Sequence, residues 1–451
     1  MPRIIRLPVA VLLALAVAFS VLRPADVDAR SLSLIRDTEI ENTIRTYATP
    51  VFLAAGLDPG AVRIYLVNDK ALNAFVAGGQ NLFINTGLLM NSAHAGQVIG
   101  VIAHEAGHIE GGHLARTQDA LRNATAESIL AVVLGAIAAA AAGRPDVAGA
   151  VVAGGQNTAL RSFLGYTRTQ EGAADAAAMR YLDETGQSAR GLLEFMKTLE
   201  GQELLPYSRQ DPYLRTHPLT RDRILALEKH VDLSPNSDSP LTPQDAAMHA
   251  RMVAKLHGFL DNPVTTLRLY PLTDRSLAAR YAQTLAFWRQ HDLDRAVAHI
   301  DALLAEHPLD PYFHELKGQM LYESGRPVEA LKPYETAVGI LPEAPLLRIG
   351  LAEVQLALND PALLDPAIDN LRTALARERN RPYVWRQLGI AYGRKGDIGQ
   401  SSLALAEEAL LVGDNPRARF HAGRAEKLLP TGSPGWLQAQ DILQAAEKKD
   451  G

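Results

Sequence analysis

Two histidines and a glutamate within residues 101–109 have the types and the spacing needed to hold a metal ion and activate water. His104 and His108 are four residues apart, so on a helix they lie about 40° apart on one face. Two imidazoles so placed can bind one zinc ion. Glu105 beside them can take a proton from metal-bound water, whose pKa zinc lowers to about 7. The pattern predicts zinc-dependent hydrolysis.

The same pattern also occurs by chance on ordinary amphipathic helices, where the histidines and the glutamate are only structural. The flanking sequence argues against that alternative, because residues 98–103 are apolar and indicate a buried helix. Buried imidazole and carboxylate groups need partners. A bound metal ion would provide one.

The composition indicates a globular protein of two or three domains. The chain has 451 residues, of which 47% are hydrophobic and 21% charged. Its net charge is −5 and it has no run of Lys or Arg, which excludes nucleic acid as an expected partner. It contains no cysteine, so disulfides, a thiolate nucleophile and cysteine-ligated metals are excluded.

Residues 1–29 have the pattern of a secretory signal peptide. Arg3 and Arg6 precede an apolar run over residues 9–22, and small residues at positions 27 and 29 indicate a cleavage site. The alternative is a retained membrane anchor, although a bilayer-spanning helix needs about 20 apolar residues. Both alternatives predict an exported protein.

A helix and a small sheet are predicted ahead of the histidine pair. Apolar residues three and four apart indicate a helix over residues 36–55, and alternation indicates three short strands between residues 62 and 85. An edge strand near a zinc helix can pair with the backbone of an extended peptide. We expect substrate to bind along the second strand, at Asn73, Ala74, Phe75 and Val76. The alternative is a sheet that only supports the core.

Glu171 is the expected third metal ligand. Position 114, where a longer zinc motif has histidine, is Leu114, and His113 would lie about 140° from His108 on a continued helix. We therefore expect His113 to point elsewhere, either solvated or supporting a ligand from behind. Glu171 and Asp175 are four residues apart in an alanine-rich helix, so Asp175 can accept the ring N–H of a ligating histidine while Glu171 binds the metal.

Residues 129–154 form an unusually apolar segment, interrupted only at Arg144, Pro145 and Asp146. Each half is too short to cross a membrane cleanly. Two interpretations stay open: a tightly packed helical hairpin, or a flap that makes peripheral contact with a membrane or a partner.

These motifs together resemble the M48 peptidases, which are gluzincin-type zinc endopeptidases. The resemblance covers roughly residues 35–230 and includes residues 73–75, residues 78–88 and Thr216-His-Pro218 followed by Arg223. It implies a metalloprotease with one Zn²⁺ per chain. It also implies that His104, His108 and Glu171 bind the metal, that Glu105 is the general base and that Asp175 supports the ligands.

His217 and Arg223 are further candidates for the catalytic site. His217 precedes Pro218 in a loop, where it could stabilise an oxyanion or occupy the fourth metal position and keep the enzyme inactive. Arg223 could contact a substrate carbonyl. The alternative is a turn that only shapes the backbone. Of these we favour gating by His217.

The sequence repeats after a Pro/Ser/Asp-rich linker at residues 234–243. Several positions recur at 34-residue intervals, and Trp385, Leu388, Gly389 and Tyr392 have the W-x-x-L-G-x-x-Y spacing of tetratricopeptide repeats. Such helix pairs stack into a solenoid whose concave face suits partner or substrate binding. The alternative is a platform that only shields the protease domain.

The expected fold class is mostly α: a gluzincin-type α+β metalloprotease domain with a small sheet, followed by an α-solenoid of tetratricopeptide-like repeats. The expected boundaries are 1–29 (signal peptide), 30–233 (protease), 234–276 (linker and connecting helices) and 277–446 (repeats). An exported M48-type chain with such repeats resembles periplasmic proteases of Gram-negative bacteria. That resemblance implies polypeptide substrates, with misassembled outer-membrane barrel proteins and the barrel-assembly machinery as partners of the repeats.

Overall fold

The computed structural model describes residues 33–113, 116, 168–201 and 212–448. The expected signal peptide and the apolar segment 129–154 lie outside these described residues, and both stay predictions. Within the described ranges, no helix is long and apolar enough to cross a membrane.

Four strands form one small mixed sheet with the order β1-β2-β4-β3. Their bounds are Leu34–Ile35 (β1), Arg63–Val67 (β2), Ala74–Ala77 (β3) and Asn81–Asn85 (β4). β2 and β4 run parallel, whereas β1 and β3 are antiparallel to their neighbours. Gly78 and Gly79, with φ of 58° and 96°, form the expected tight turn between β3 and β4. In the described part of the chain, the order makes β1 and β3 the two edge strands.

Helices pack against one face of this sheet and form the first core. Their bounds are Thr38–Ala54 (α1), Thr86–Asn91 (α2), Ala95–Glu110 (α3), residues 168–184 (α4), Arg190–Leu199 (α5), Pro212–Thr216 (α6) and Arg221–Leu233 (α7). α1 begins where the Asp37 carboxylate accepts the Ile40 N–H (2.9 Å), and it continues through Pro50. The histidine-bearing α3 is buried from residue 97 to residue 107 and packs against α1, α5 and β3.

The C-terminal half is an array of antiparallel helix pairs. Two connecting helices, Pro243–Leu260 (α8) and Pro263–Leu269 (α9), lead into it. The pairs are Leu277–Arg289 (α10) with Leu293–Glu306 (α11), Pro311–Glu323 (α12) with Pro327–Ile340 (α13), Pro345–Ala357 (α14) with Leu364–Arg377 (α15), Pro382–Lys395 (α16) with Ile398–Leu411 (α17), and Asn415–Leu428 (α18) with Pro434–Lys448 (α19). A Cβ on Gly318 would lie 2.6 Å from the Tyr334 ring, which explains the small residue at that repeat position.

α8 joins the two halves rather than acting as a loose linker. Its Met252 and Leu256 belong to the first hydrophobic core, and the helix also packs against α10. Its basic side chains meet the acidic start of α1: Lys255 Nζ lies 2.7 Å from Asp37 Oδ2, and Arg251 lies 2.7 Å from Glu39 Oε1. The N-terminal half is thus held to the repeats by buried apolar and ionic contacts.

Candidate metal centre

Two glycines allow α3 to approach its neighbours closely enough to present the histidines. A Cβ on Gly100 would lie 2.7 Å from the Leu192 Cβ of α5. A Cβ on Gly107 would lie 2.8 Å from the Ala174 carbonyl oxygen of α4. Because a real Cβ does not tolerate such distances, glycine at 107 sets the spacing between the histidine-bearing helix and the helix that carries Glu171.

The structure brings His104, His108, Glu171 and His217 together, with one ligand atom of each within 4.8 Å of the others. The Nε2 atoms of His104 and His108 are 3.1 Å apart, and each lies 3.4 Å from a Glu171 carboxylate oxygen. His217 Nδ1 lies 3.4 Å from His104 Nε2 and 3.3 Å from Glu171 Oε2. The cluster is almost fully enclosed, since the most exposed of these side chains is His108 at 12%.

These separations fit a tetrahedral zinc ion. Nitrogen and oxygen ligands 2.0–2.2 Å from such an ion lie about 3.3–3.6 Å from one another. Imidazole nitrogens and a carboxylate are also the donors that zinc accepts. The residues present therefore fit a zinc site with His217 in the fourth position.

Two further side chains orient the histidines from behind. His104 Nδ1 lies 2.8 Å from Asp175 Oδ1, as the spacing of Glu171 and Asp175 predicted. His108 Nδ1 lies 3.0 Å from His113 Nδ1. The expectation that His113 points elsewhere is wrong, because α3 ends at Glu110 and Gly112, at φ 59°, turns the chain back toward His108. His113 is only 7% exposed, so of the two alternatives the structure favours the supporting one.

Arg223 contacts carboxylates rather than facing a cavity. Its Nε and Nη2 donate to the two oxygens of Asp175 at 2.6 and 2.9 Å, and its Nη1 donates to the Pro218 carbonyl at 2.9 Å. Nη1 also lies 3.1 Å from Glu171 Oε2. These contacts fit a positioning role for Arg223, and the expected contact with a substrate carbonyl stays a prediction.

His217 is held by an aromatic residue that the sequence analysis did not single out. The short α6 ends at Thr216, and the His217 N–H donates to the Tyr213 carbonyl at 2.7 Å. The ring of Tyr213 is 2% exposed and stacks on the His217 imidazole. The signal was present in the sequence, because an aromatic residue four positions before a histidine lies on the same side of a helical turn.

Glu105 is buried beside the cluster with both carboxylate oxygens lacking a hydrogen-bond partner among the described residues. His217 Nε2 lies 3.4 Å from its Oε1. Burial raises the pKa of Glu105 above its usual value, although the neighbouring His217 and His104 act in the opposite direction. A carboxylate that is poorly solvated and points into the site can accept a proton readily.

The other two carboxylates stay ionised. Burial acts to raise the pKa of Glu171, but His217 and His104 hold it well below the usual value. Burial acts similarly on Asp175, but Arg223 and His104 hold its pKa low. Two ionised carboxylates in an enclosed site create a negative potential that a divalent cation would neutralise.

The expected substrate strand lies next to this helix. Asn73 precedes β3, and Ala74, Phe75 and Val76 lie within it. The Asn85 N–H donates to the Asn73 carbonyl at 2.9 Å, so β3 is bonded to β4 on one side only in the described structure. β3 also packs against α3, which places a free strand edge beside the histidine-bearing helix.

Comparison with known families agrees with this architecture. Residues 35–231 match the model of peptidase family M48, and residues 281–345 match a tetratricopeptide repeat model. The chain therefore carries an M48 peptidase domain followed by tetratricopeptide repeats. The expected fold class is confirmed, and the residues at the centre are compatible with a metallopeptidase.

Curated relatives share both halves of the chain. The chain is 25% identical over 391 residues to the beta-barrel assembly-enhancing protease of Yersinia pestis, covering 85% of this chain and 78% of the relative. It is 24% identical over 394 residues, with the same coverage, to the protein of that name from Escherichia coli K12. A solved repeat protein, YrrB, aligns with 40% of this chain and 94% of its own at 16% identity and a TM-score of 0.33.

Proposed function

We propose that this protein is an exported zinc endopeptidase that degrades misassembled outer-membrane proteins, with the repeats binding substrate or partner proteins. The observation that carries the proposal is the set of ligand atoms of His104, His108 and Glu171 at separations of 3.1–3.4 Å. The name of the curated relatives supports the substrate class, and the N-terminal signal pattern supports export to the periplasm.

The roles of the side chains follow from their positions. His104, His108 and Glu171 would hold zinc, which when bound supplies a Lewis acid for peptide hydrolysis. Glu105 accepts the proton of the attacking water and returns it to the leaving amine, since its oxygens are otherwise unpartnered in the described structure. Asp175 orients His104 and is itself held by Arg223. The edge of β3 aligns the polypeptide.

The position of His217 favours a latent state. Its Nδ1 lies where a fourth ligand would be, so water and substrate would have to displace it. We propose that His217 gates the centre and that activation requires its withdrawal.

The position of His217 beside the other ligand atoms also supports a second candidate function. A protein whose centre stays closed could act as a chaperone or assembly factor for outer-membrane proteins through its repeats. In that case the M48 half would contribute stability or docking rather than cleavage.

The test compares the wild type with Glu105→Gln, which keeps the size of the side chain and removes the base. The purified full chain is incubated with an unfolded outer-membrane barrel protein and one equivalent of zinc. We expect cleavage by the wild type and a loss of about 10²–10⁴-fold in the variant. If Glu105→Gln instead restores every defect of a deletion strain, the chaperone function is the correct one.

A further inference from the structure

Three aromatic rings form a continuous ladder across the outer face of the sheet and end at β3, whose outer edge has no partner strand among the described residues. Tyr65 of β2 and Phe83 of β4 stack with centroids 4.9 Å apart and planes 15° apart. Phe83 and Phe75 of β3 stack at 5.0 Å and 8°. The register pairs each ring directly with the next, Tyr65 with Phe83 and Phe83 with Phe75.

This ladder is not part of the hydrophobic core. The core face of the same strands is made of fully buried side chains, namely Leu66, Ala74, Leu82 and Ile84. The three rings point to the opposite face, and each is only half-buried. Stacked aromatic rings on a partly exposed sheet face stabilise the sheet only weakly. Because the rings continue as far as the edge strand, a role in binding explains them better than a role in stability.

The hydrogen-bond pattern of β3 shows what an added strand would meet. Because Asn73 is bonded to Asn85, the alternation of an antiparallel ladder also directs the backbone groups of Phe75 toward β4. The N–H and C=O groups of Ala74 and Val76 therefore face the free edge. A polypeptide added antiparallel to β3 would bond to these two residues, and its residue between them would lie opposite Phe75.

The spacing favours an aromatic side chain at that residue. Neighbouring strands lie about 4.8 Å apart, which matches the 4.9 and 5.0 Å between the existing rings. The residue opposite Phe75 would be in a non-hydrogen-bonded pair, where side chains are closest. A fourth ring would extend the stack.

We propose that Phe75, supported by Phe83 and Tyr65, is a specificity-determining residue that selects an aromatic side chain in the bound polypeptide, on the face away from the metal centre. This inference rests on the proposed function, because it assumes that substrate binds along β3. It assigns to the enzyme a preference for extended segments that place an aromatic residue opposite Phe75.

The test measures binding separately from cleavage. The full chain carrying Glu105→Gln is titrated with fluorescent decapeptides of Thr and Ser that differ at one central position, which is Phe, Leu or Ser. We expect the Phe peptide to bind about three- to tenfold more tightly than the Ser peptide and also more tightly than the Leu peptide. Equal affinities for the three peptides would overturn the proposal.

Variants of Phe75 show whether this residue causes the preference for the Phe peptide. Phe75→Ala should abolish the preference for Phe, and Phe75→Leu, which keeps most of the volume, should leave Phe and Leu peptides equal. Leu34→Ala is the matched control, because Leu34 is an apolar side chain, 45% exposed, on the opposite edge strand. A preference that survives in both Phe75 variants contradicts the proposal.

Cleavage by the chain with Glu105 intact distinguishes the proposed protease function from the proposed role of the aromatic ladder in specificity. If it cleaves the Phe and Ser peptides at equal rates, the ladder has no role in specificity while the protease function stands. If neither this chain nor its His217→Ala variant cleaves either peptide, although the Glu105→Gln protein binds the Phe peptide preferentially, the protease function fails and the ladder remains a binding site.

Discussion

The imidazole of His217 stacks on the ring of Tyr213, with the ring centroids 4.6 Å apart and the ring planes at 30°. This contact and the 3.3 Å approach of His217 Nδ1 to Glu171 hold the histidine over the metal site. We therefore expect His217→Ala to raise the rate of proteolysis. The rise should be about tenfold if the contacts that close the site contribute about 1.4 kcal/mol.

The matched control for this prediction is His230→Ala. His230 lies in α7 and contacts Asp183 at 3.3 Å, away from the metal centre, so its removal should leave the rate unchanged. The measurement is the initial rate of cleavage of an unfolded protein at saturating zinc. An unchanged or abolished rate in His217→Ala would show that His217 does not block the centre.

Asp175 and Arg223 form a buried pair in which each side chain needs the other. Both are at most 5% exposed. Arg223→Met should destabilise the protein by about 3–5 kcal/mol, because Asp175 would remain buried without its cation. Urea unfolding measures this loss of stability, and an Arg223→Met protein as stable as the wild type would contradict the prediction.

Asp175→Asn should weaken zinc binding about 10- to 100-fold, because His104 loses its support. Competition with a chelator measures the zinc affinity of this variant.

Gly107 determines how closely α3 approaches α4. Because a Cβ at position 107 would meet the backbone of Ala174 at 2.8–3.0 Å, Gly107→Ala should separate the two helices, destabilise the protein by about 1–3 kcal/mol and weaken zinc binding. Gly172→Ala is the control in the partner helix, since its Cβ would meet nothing within 4 Å. That variant should stabilise the protein by about 0.5–1 kcal/mol. Similar effects of the two substitutions would refute this account of the helix packing.

Glu315 in α12 makes the contact between the two halves sensitive to pH. Burial, opposed by Lys255 and reinforced by Asp37 and Glu39, raises the pKa of Glu315 from 4.5 to about 8. A carboxyl whose pKa is raised on folding favours the folded state fully below pH 4.5, and this contribution is lost as the pH rises to about 8. Glu315→Gln should therefore be more stable than the wild type at pH 8 and about equally stable at pH 4.5.

Urea unfolding at several pH values between 4.5 and 8.5 tests this prediction. Glu335→Gln is the control, because Glu335 is exposed on the neighbouring α13. Its unfolding curve should follow that of the wild type at each pH. If Glu315→Gln also follows the wild type, Glu315 does not titrate on unfolding.

The sequence was most informative where local spacing alone determines geometry. His104 and His108 had to share a helix face, as had Glu171 and Asp175, and the types of these side chains predicted the contact between the two pairs that the structure shows. The W-x-x-L-G-x-x-Y spacing that begins at Trp385 and ends at Tyr392 likewise predicted the paired helices. Three of the four strands were predicted, within one residue of their observed ends, whereas β1 was missed because its two residues are too few to show alternation.

The rest depended on contacts between distant segments. The position of His113 was wrong because the helix was assumed to continue past Glu110, whereas Gly112 at φ 59° reverses the chain. The contact of Arg223 with Asp175, 48 residues away, was not predicted, because spacing along the chain does not show which distant side chains pair. The role of Tyr213 was missed because its four-residue spacing to His217 brings the two rings together only if residues 212–216 are helical, and five residues are too few to show a helical period.

The central claim is that His104, His108 and Glu171 hold one zinc ion that Glu105 uses without binding it. The most direct test is zinc content by mass spectrometry, with cleavage of the same unfolded protein, for the wild type, Glu105→Gln and Glu171→Gln. We predict one zinc per chain in the wild type and in Glu105→Gln, with cleavage lost in the latter, and little or no zinc in Glu171→Gln. A Glu171→Gln protein that retains stoichiometric zinc, or a wild type that cleaves with its metal removed, would contradict the account.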